Sequence, residues 1–210
     1  KKTDKMSALN LSRRNLRTVP SLVTELKAQL TSLDISFNKI TVFPNDLFDD
    51  SFCENVETLN LGDNLLMALP NELVLCQALV SLKICNNQLP LLPEKIGRLV
   101  SLCRLDASGN RIATLQNGTL SALTGLTILD LSRNMLTQIQ NEDIWTLTSL
   151  RELSLSFNRL ERLPVGIGCL TNLTALRANN NALSSLEPDI VHLPALRDLQ
   201  LSQNNLSRLH

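Results

Sequence analysis

Aromatic side chains are scarce in this chain: 3% of its 210 residues, with no Tyr, a single Trp and five Phe. Globular cores lean on such large side chains, so something else must fill this interior, and Leu is the obvious supply. Net charge is missing too, since 20 basic residues meet 20 acidic ones. No strong field therefore draws the chain to nucleic acid or to an anionic membrane. No apolar run approaches the ~20 residues that a bilayer span needs. The opening KKTDKMSALNLS holds no apolar core of a signal peptide. Position 1 is Lys rather than Met, which reads as a cut piece and is compatible with a leader removed in processing.

Catalytic groups are equally thin. His occurs only at 192 and 210, neither beside a Ser or Cys motif that would make a nucleophile pair. Gly97 and Gly168 lie far apart, so no Gly-rich phosphate loop exists. No enzymatic activity and no cofactor or metal is expected of this segment. The five Cys, at 53, 76, 85, 103 and 169, show neither C-x-x-C spacing nor the clustering of a disulfide-capped end. They read as free thiols in a reducing compartment, with a Cys53–Cys76 disulfide as the lesser alternative.

What the chain has in abundance is one phrase. LSLSFNRLERLP at 153–164 is nearly copied by LDISFNKITVFP at 33–44. Alignment on L-x-x-L-x-L-x-x-N-x-L gives starts at Met6, Leu30, Val56, Leu79, Leu102, Leu126, Leu150, Leu173 and Leu196. Successive offsets are 24, 26, 23, 23, 24, 24, 23 and 23 residues. Alternating apolar residues such as Leu153 and Leu155 mark a short strand in each phrase, with Ser154 and Ser156 facing the other way. A single coil cannot bury its apolar face, so each stacks on the next.

The repeated phrase resembles the leucine-rich repeat family over the whole chain apart from its first few residues. The resemblance implies an α/β fold: a curved, right-handed solenoid with a parallel sheet on its concave face. It forms one domain of nine repeats across residues 1–210. At ~4.8 Å per strand, nine strands make an arc about 40 Å long, enough for a folded partner. The Asn recurring at the ninth place (Asn38, Asn64, Asn87, Asn110, Asn134, Asn158, Asn181, Asn204) is read as a structural ladder that bonds backbone groups. The first coil has Arg14 there, which suits a place near an N-terminal cap. The last coil stops at LSRLH without a polar cap, which reads as a piece of a longer protein.

The segments LPNEL (69–73), LPEKIGRL (92–99) and LPVGIGCL (163–170) make the resemblance strongest to the intracellular, Ras-group repeat type. Coils five and six depart from it, with Leu115-Gln116 and Ile139-Gln140, and coil eight has Leu186-Glu187. The insertion PNDLFDDSFCEN precedes Val56. Members of this type include Ras-binding scaffolds, polarity proteins, Roco kinases and leucine-rich-repeat phosphatases. The resemblance thus implies a cytoplasmic protein-binding scaffold, monomeric as this segment, with a small GTPase or another signalling protein as partner. Recognition or adhesion outside the cell is the alternative, as is a spacer for an attached kinase or phosphatase domain. Nucleic acid and membrane are not expected as partners.

Function should lie on the concave face, at the third, fifth, seventh and eighth places of each coil. The seventh place is almost always small (Ser12, Ser36, Gly62, Cys85, Ser108, Ser132, Ser156, Asn179, Ser202) and reads as a smooth structural floor. The candidate protein-binding residues are Asp34, Lys83, Arg104, Asp106, Asp130, Arg133, Glu152, Phe157, Arg159, Arg177 and Arg197. Arg111, Arg151 and Asp198 accompany them, and the C-terminal half of this face reads as the more basic. Such a field would orient an acidic partner; the competing reading is cross-strand pairs worth under ~1 kcal/mol each. Phe37 and Phe157, at the eighth place, either anchor an interface or fold over the edge of the core. Trp145 is expected partly buried between coils on the convex side. The N-x-S/T sequons at Asn10, Asn117, Asn172 and Asn205 are weak signs of secretion, because N-L-S arises easily within the phrase.

Overall fold

The computed structural model describes residues 7–44, 46–116, 118–139 and 144–207. Each phrase contributes one three-residue strand: β1 (Ala8–Asn10), β2 (Ser32–Asp34), β3 (Thr58–Asn60), β4 (Ser81–Lys83), β5 (Arg104–Asp106), β6 (Ile128–Asp130), β7 (Glu152–Ser154), β8 (Ala175–Arg177) and β9 (Asp198–Gln200). The nine lie side by side in chain order in one parallel, curved, open sheet. Register is strict. The fourth-place Leu runs Leu9, Leu33, Leu59, Leu82, Leu105, Leu129, Leu153, Leu176 and Leu199 from strand to strand. All of these except Leu9 and Leu199, in the two edge strands, are buried. A one-residue slip would turn this column to solvent, which is why the period-two pattern sets the register.

The ladder of backbone bonds continues past the strands. The sixth-place N–H bonds the fifth-place carbonyl of the next coil, as Leu131 N to Ser154 O (2.9 Å). The eighth-place N–H bonds the next seventh-place carbonyl, as Arg133 N to Ser156 O (2.8 Å). The eighth residue adopts a left-handed backbone in every coil, from Arg13 (φ 58°) through Gly109 (φ 63°) to Gln203 (φ 56°). Only Gly takes this conformation without cost, so eight coils hold a strained residue here, and in every coil but the first the turn leads into the ninth-place Asn.

Those Asn residues form the expected ladder. Asn134 is representative: its Nδ2 donates to Ala107 O (3.0 Å), Leu131 O (3.0 Å) and Ser132 O (3.2 Å), and its Oδ1 accepts from Ile112 N (3.0 Å). Two coils are thus tied through one carboxamide. Asn38 through Asn158 are buried, whereas Asn181 and Asn204, in the last two coils, are half-buried.

On the convex side, Pro20, Pro70 and Pro164 precede short helical segments: the helix α1 (Ser21–Leu26) and the 3-10 turns Asn71–Leu75 and Val165–Cys169. Their φ values of −65°, −65° and −64° are what the pyrrolidine ring imposes. The insertion before Val56 forms the helix α2 (Asp50–Cys53), capped by the Asp49 side chain on Phe52 N. Here three of the five Phe gather: Phe43–Phe48 at 5.4 Å and Phe48–Phe52 at 5.7 Å, both edge-to-face. Trp145 is 46% exposed, with its backbone end against Gly166, where a Cβ would sit 3.1 Å from the Trp145 Cβ.

One expectation is corrected. Cys53 and Cys76, read as free thiols, are joined by a disulfide. Both stand in for the core-facing Leu three residues before a repeat start. Neighbouring coils stack these places directly on one another, so two buried sulfurs in successive coils are brought into contact. Cys85, Cys103 and Cys169 remain free.

Candidate functional site on the concave sheet

The side chains that leave the sheet on its concave face come from the third and fifth places. The middle of the sheet forms a shallow hollow of ≈ 150 Å³. Lys83, Arg104, Asp106 and Asp130, all expected at a binding surface, line it together, over an apolar base that includes Leu105 and Ile128. Register sets this meeting: Lys83 pairs with Asp106 and Asp106 with Asp130 across β4, β5 and β6. Larger hollows, of ≈ 330 to 400 Å³, are open grooves between convex or lateral segments, such as that of Asn71, Pro93 and Arg98.

The floor aspartates also hold their own turns. Asp34 Oδ1 accepts from the Ser36 N–H (2.9 Å) and hydroxyl (2.6 Å), Asp106 Oδ1 from the Ser108 N–H (3.1 Å) and hydroxyl (2.7 Å), and Asp130 Oδ1 from the Ser132 N–H (2.8 Å). These bonds fix each carboxylate relative to the sheet. Cys85 faces the same row beside Gly62, where an added Cβ would meet its Sγ at 2.8 Å. Burial, with Asp106 and Asp63 nearby, pushes its thiol up to about 12, so it is not a reactive thiolate.

Toward the C-terminal end, Arg177 bridges Glu152 (3.4 Å) and Asp198 (3.2 Å). Pairing across strands is what these three do. Being half-exposed, each contact is worth under ~1 kcal/mol.

The structure separates charges that the sequence pattern groups on one face. Arg151 and Arg197 precede their three-residue strands, and Arg111 and Arg159 follow theirs, at the tenth place. They frame the floor without forming it. The floor itself carries Asp34, Asp106, Asp130, Glu152 and Asp198 against Lys83, Arg104 and Arg177. The basic C-terminal half is a basic rim around a slightly acidic floor.

Phe37 and Phe157 are exposed, 45% and 46%, on the left-handed turn. Each carries a guanidinium from the coil before it: Arg13 at 4.1 Å from the Phe37 ring centroid and Arg133 at 4.7 Å from that of Phe157. These stacks are absent from the sequence reading. Their signal was an Arg at the eighth place followed one coil later by a Phe, which occurs twice. Among the described residues no three His, Cys, Asp or Glu side chains come together as a metal site, and no helix is long and apolar enough to cross a membrane.

The profile of the leucine rich repeat family matches residues 28–89 and 100–160. The chain belongs to the leucine-rich repeat family, whose domains mediate protein–protein interaction. It is 31% identical over 176 residues to an adenylate cyclase of Podospora anserina, covering 83% of this chain but 8% of the cyclase. A leucine-rich repeat protein of Leptospira interrogans superposes with a TM-score of 0.85 at 30% identity, over 95% of this chain and 55% of that one. The plant peptide hormone receptor RGFR1, in complex with RGF2, superposes with a TM-score of 0.76 at 30% identity, over 89% of this chain and 30% of the receptor. The chain spans only a small part of the curated relative's length.

Proposed function

We propose that this chain is the protein-recognition segment of a larger intracellular signalling protein, reading its partner with the concave floor. The observation that carries this is the central hollow, where Lys83, Arg104, Asp106 and Asp130 converge on a backbone that the sheet holds rigid. Charges of both signs on a fixed frame favour orientation and specificity over raw affinity. The receptor complex supports a protein or peptide ligand. The Leu-Pro segments support the Ras-group type, and with it a small GTPase or comparable signalling partner in the cytoplasm. The segment's part in this reading is binding, with any catalysis left to attached domains.

The Cys53–Cys76 disulfide favours a second setting, recognition outside the cell, because such bonds persist in oxidising compartments. The recognition role itself is tested by swapping the floor charges: Lys83→Glu, Arg104→Glu, Asp106→Lys and Asp130→Lys together. Binding is measured against a panel of purified small GTPases and against proteins captured from cytosol. The wild type should hold a partner that the swapped chain loses by about tenfold or more in affinity. Equal binding by both would refute the concave reading and leave a spacer role.

A further inference from the structure

We propose that the rim of coils five to seven is a docking ledge for an acidic, extended segment of the protein partner. This rests on the recognition role above and names the chemistry recognised. The ledge comprises the eighth and tenth places that follow β5, β6 and β7: Arg111, Arg133, Met135, Phe157 and Arg159, all exposed. Backbone bonds keep it in rows. Arg133 N meets Ser156 O (2.8 Å) and Phe157 N meets Asn179 O (2.8 Å) in one row. In the other, Arg111, Met135 and Arg159 donate to Leu89, Ile112 and Leu136 of the preceding coils (2.9, 2.9 and 2.8 Å).

The charge is one-sided. Three arginines stand in these places and no acid does. Along all nine coils the only acid at an eighth or tenth place is Asp63, in coil three, which accepts from Asn86 Nδ2 (3.1 Å). Coils eight and nine have Asn180, Ala182, Gln203 and Asn205 there, with no charge. Among the described residues no ion pair engages Arg111, Arg133 or Arg159. Stacking on Phe157 holds the face of Arg133 and leaves its N–H edge for a carboxylate, which a planar guanidinium binds in two-pronged fashion. The left-handed turns at Arg133 and Phe157 fix these side chains' origins, so little ordering is left for binding to impose.

Dimensions and the neighbouring floor select the occupant. At ~4.8 Å per coil, Arg111 and Arg159 start about 10 Å apart, one three-residue turn of an extended polyproline II chain at ~3.1 Å per residue. Acids at i and i+3 of such a segment share a face and meet both arginines, and an apolar residue between them turns aside toward Phe157. A continuous polyanion would also pass Asp106, Asp130 and Glu152 on the adjoining floor, and nucleic acid carries a charge every ~1.7 Å. Spaced carboxylates avoid that repulsion.

The test uses the whole chain and a fluorescein-labelled peptide, Glu-Glu-Leu-Glu-Glu-Leu-Glu, followed by anisotropy. Its Gln counterpart should bind about tenfold more weakly or worse. Arg111→Glu, Arg133→Glu and Arg159→Glu together should reduce affinity by more than about tenfold, with a parallel Arg→Gln set guarding against a folding defect. Phe157→Ala should weaken binding about threefold. Raising salt from about 50 to about 300 mM should weaken wild-type binding steeply. The floor change Asp106→Lys with Asp130→Lys should leave the peptide bound. Overturning results are a triple variant within about twofold of wild type, no peptide binding by the wild type at about millimolar concentration, or displacement of the peptide by a poly-dT oligonucleotide or phosphatidylserine vesicles that bind more tightly. Loss of peptide binding with partner capture intact would remove the ledge alone. Peptide binding without floor-dependent capture would remove the concave reading alone.

Discussion

Replacing Asn134 by Ala should destabilise the array out of proportion to the atoms removed. The side chain is buried, and its two N–H groups and one oxygen serve Ala107 O, Leu131 O, Ser132 O and Ile112 N. At ~1 kcal/mol net for each of these three polar groups, and ~1 more for the buried Ile112 N–H left unpaired, the loss is about 4 kcal/mol. With a urea slope of ~2 kcal/mol per molar, the midpoint falls by about 2 M. Ser132→Ala, two residues away, is the control. The Ser132 backbone N–H is the group that meets Asp130 Oδ1, so removing the hydroxyl should change stability by less than ~0.5 kcal/mol. Asn204→Ala should cost less than Asn134→Ala, since Asn204 is only half-buried and water can replace its bonds. Urea unfolding followed by far-UV circular dichroism measures all three. Equal losses for Asn134→Ala and Ser132→Ala would refute the division between a structural ladder and a tolerant floor.

Asp49 supplies a pH-dependent contribution. The bond from Lys27 (2.7 Å), then that from Ser51, lowers its pKa to about 2. A value lowered by folding means stability that is present above the unfolded value of ~3.9 and is lost as pH falls toward about 2. Asp49→Asn keeps a helix cap but loses the Lys27 pair, so its half-exposed site should cost under ~1 kcal/mol near neutrality. The gap to wild type should close between about pH 4 and pH 2; a gap that widens on acidification refutes this account. The disulfide has its own check. Alkylation of unreduced, unfolded protein from its cell of origin should modify Cys85, Cys103 and Cys169 alone. Reduction should then expose Cys53 and Cys76 and lower stability by about 3 kcal/mol, the value for a closed loop of this length. Five reactive thiols without reductant would place the protein in a reducing compartment.

What could be read from the chain alone follows from what repetition encodes. Nine phrases in one period specify which residues share a column, so the buried Leu column, the Asn ladder and the parallel strand order were all legible. Repetition is silent about contacts between unlike columns. Cys53 and Cys76 occupy one column in successive coils, so their meeting was encoded; the absence of C-x-x-C spacing and of clustering among five Cys turned the reading toward free thiols. The candidate site divides the same way. Lys83, Arg104, Asp106 and Asp130 were legible as neighbours because they sit in the third- and fifth-place columns of adjacent strands.

The rim was not legible, for a physical reason. Side chains at the tenth place lie beyond the strand, across a turn whose left-handed residue redirects the backbone. Grouping every charge that flanks a strand with the strand's own concave face puts Arg159 on the same surface as Asp130, whereas the backbone puts it on the ledge beside Phe157. Once the turn is known, net neutrality no longer implies an electrically bland molecule. Acids on the sheet floor, three of them tied to their own turns, and arginines on the rim, without ion partners among the described residues, are two adjoining surfaces of opposite preference. A partner that satisfies both must present its charges in order, and that ordering is a source of specificity that neither surface has alone.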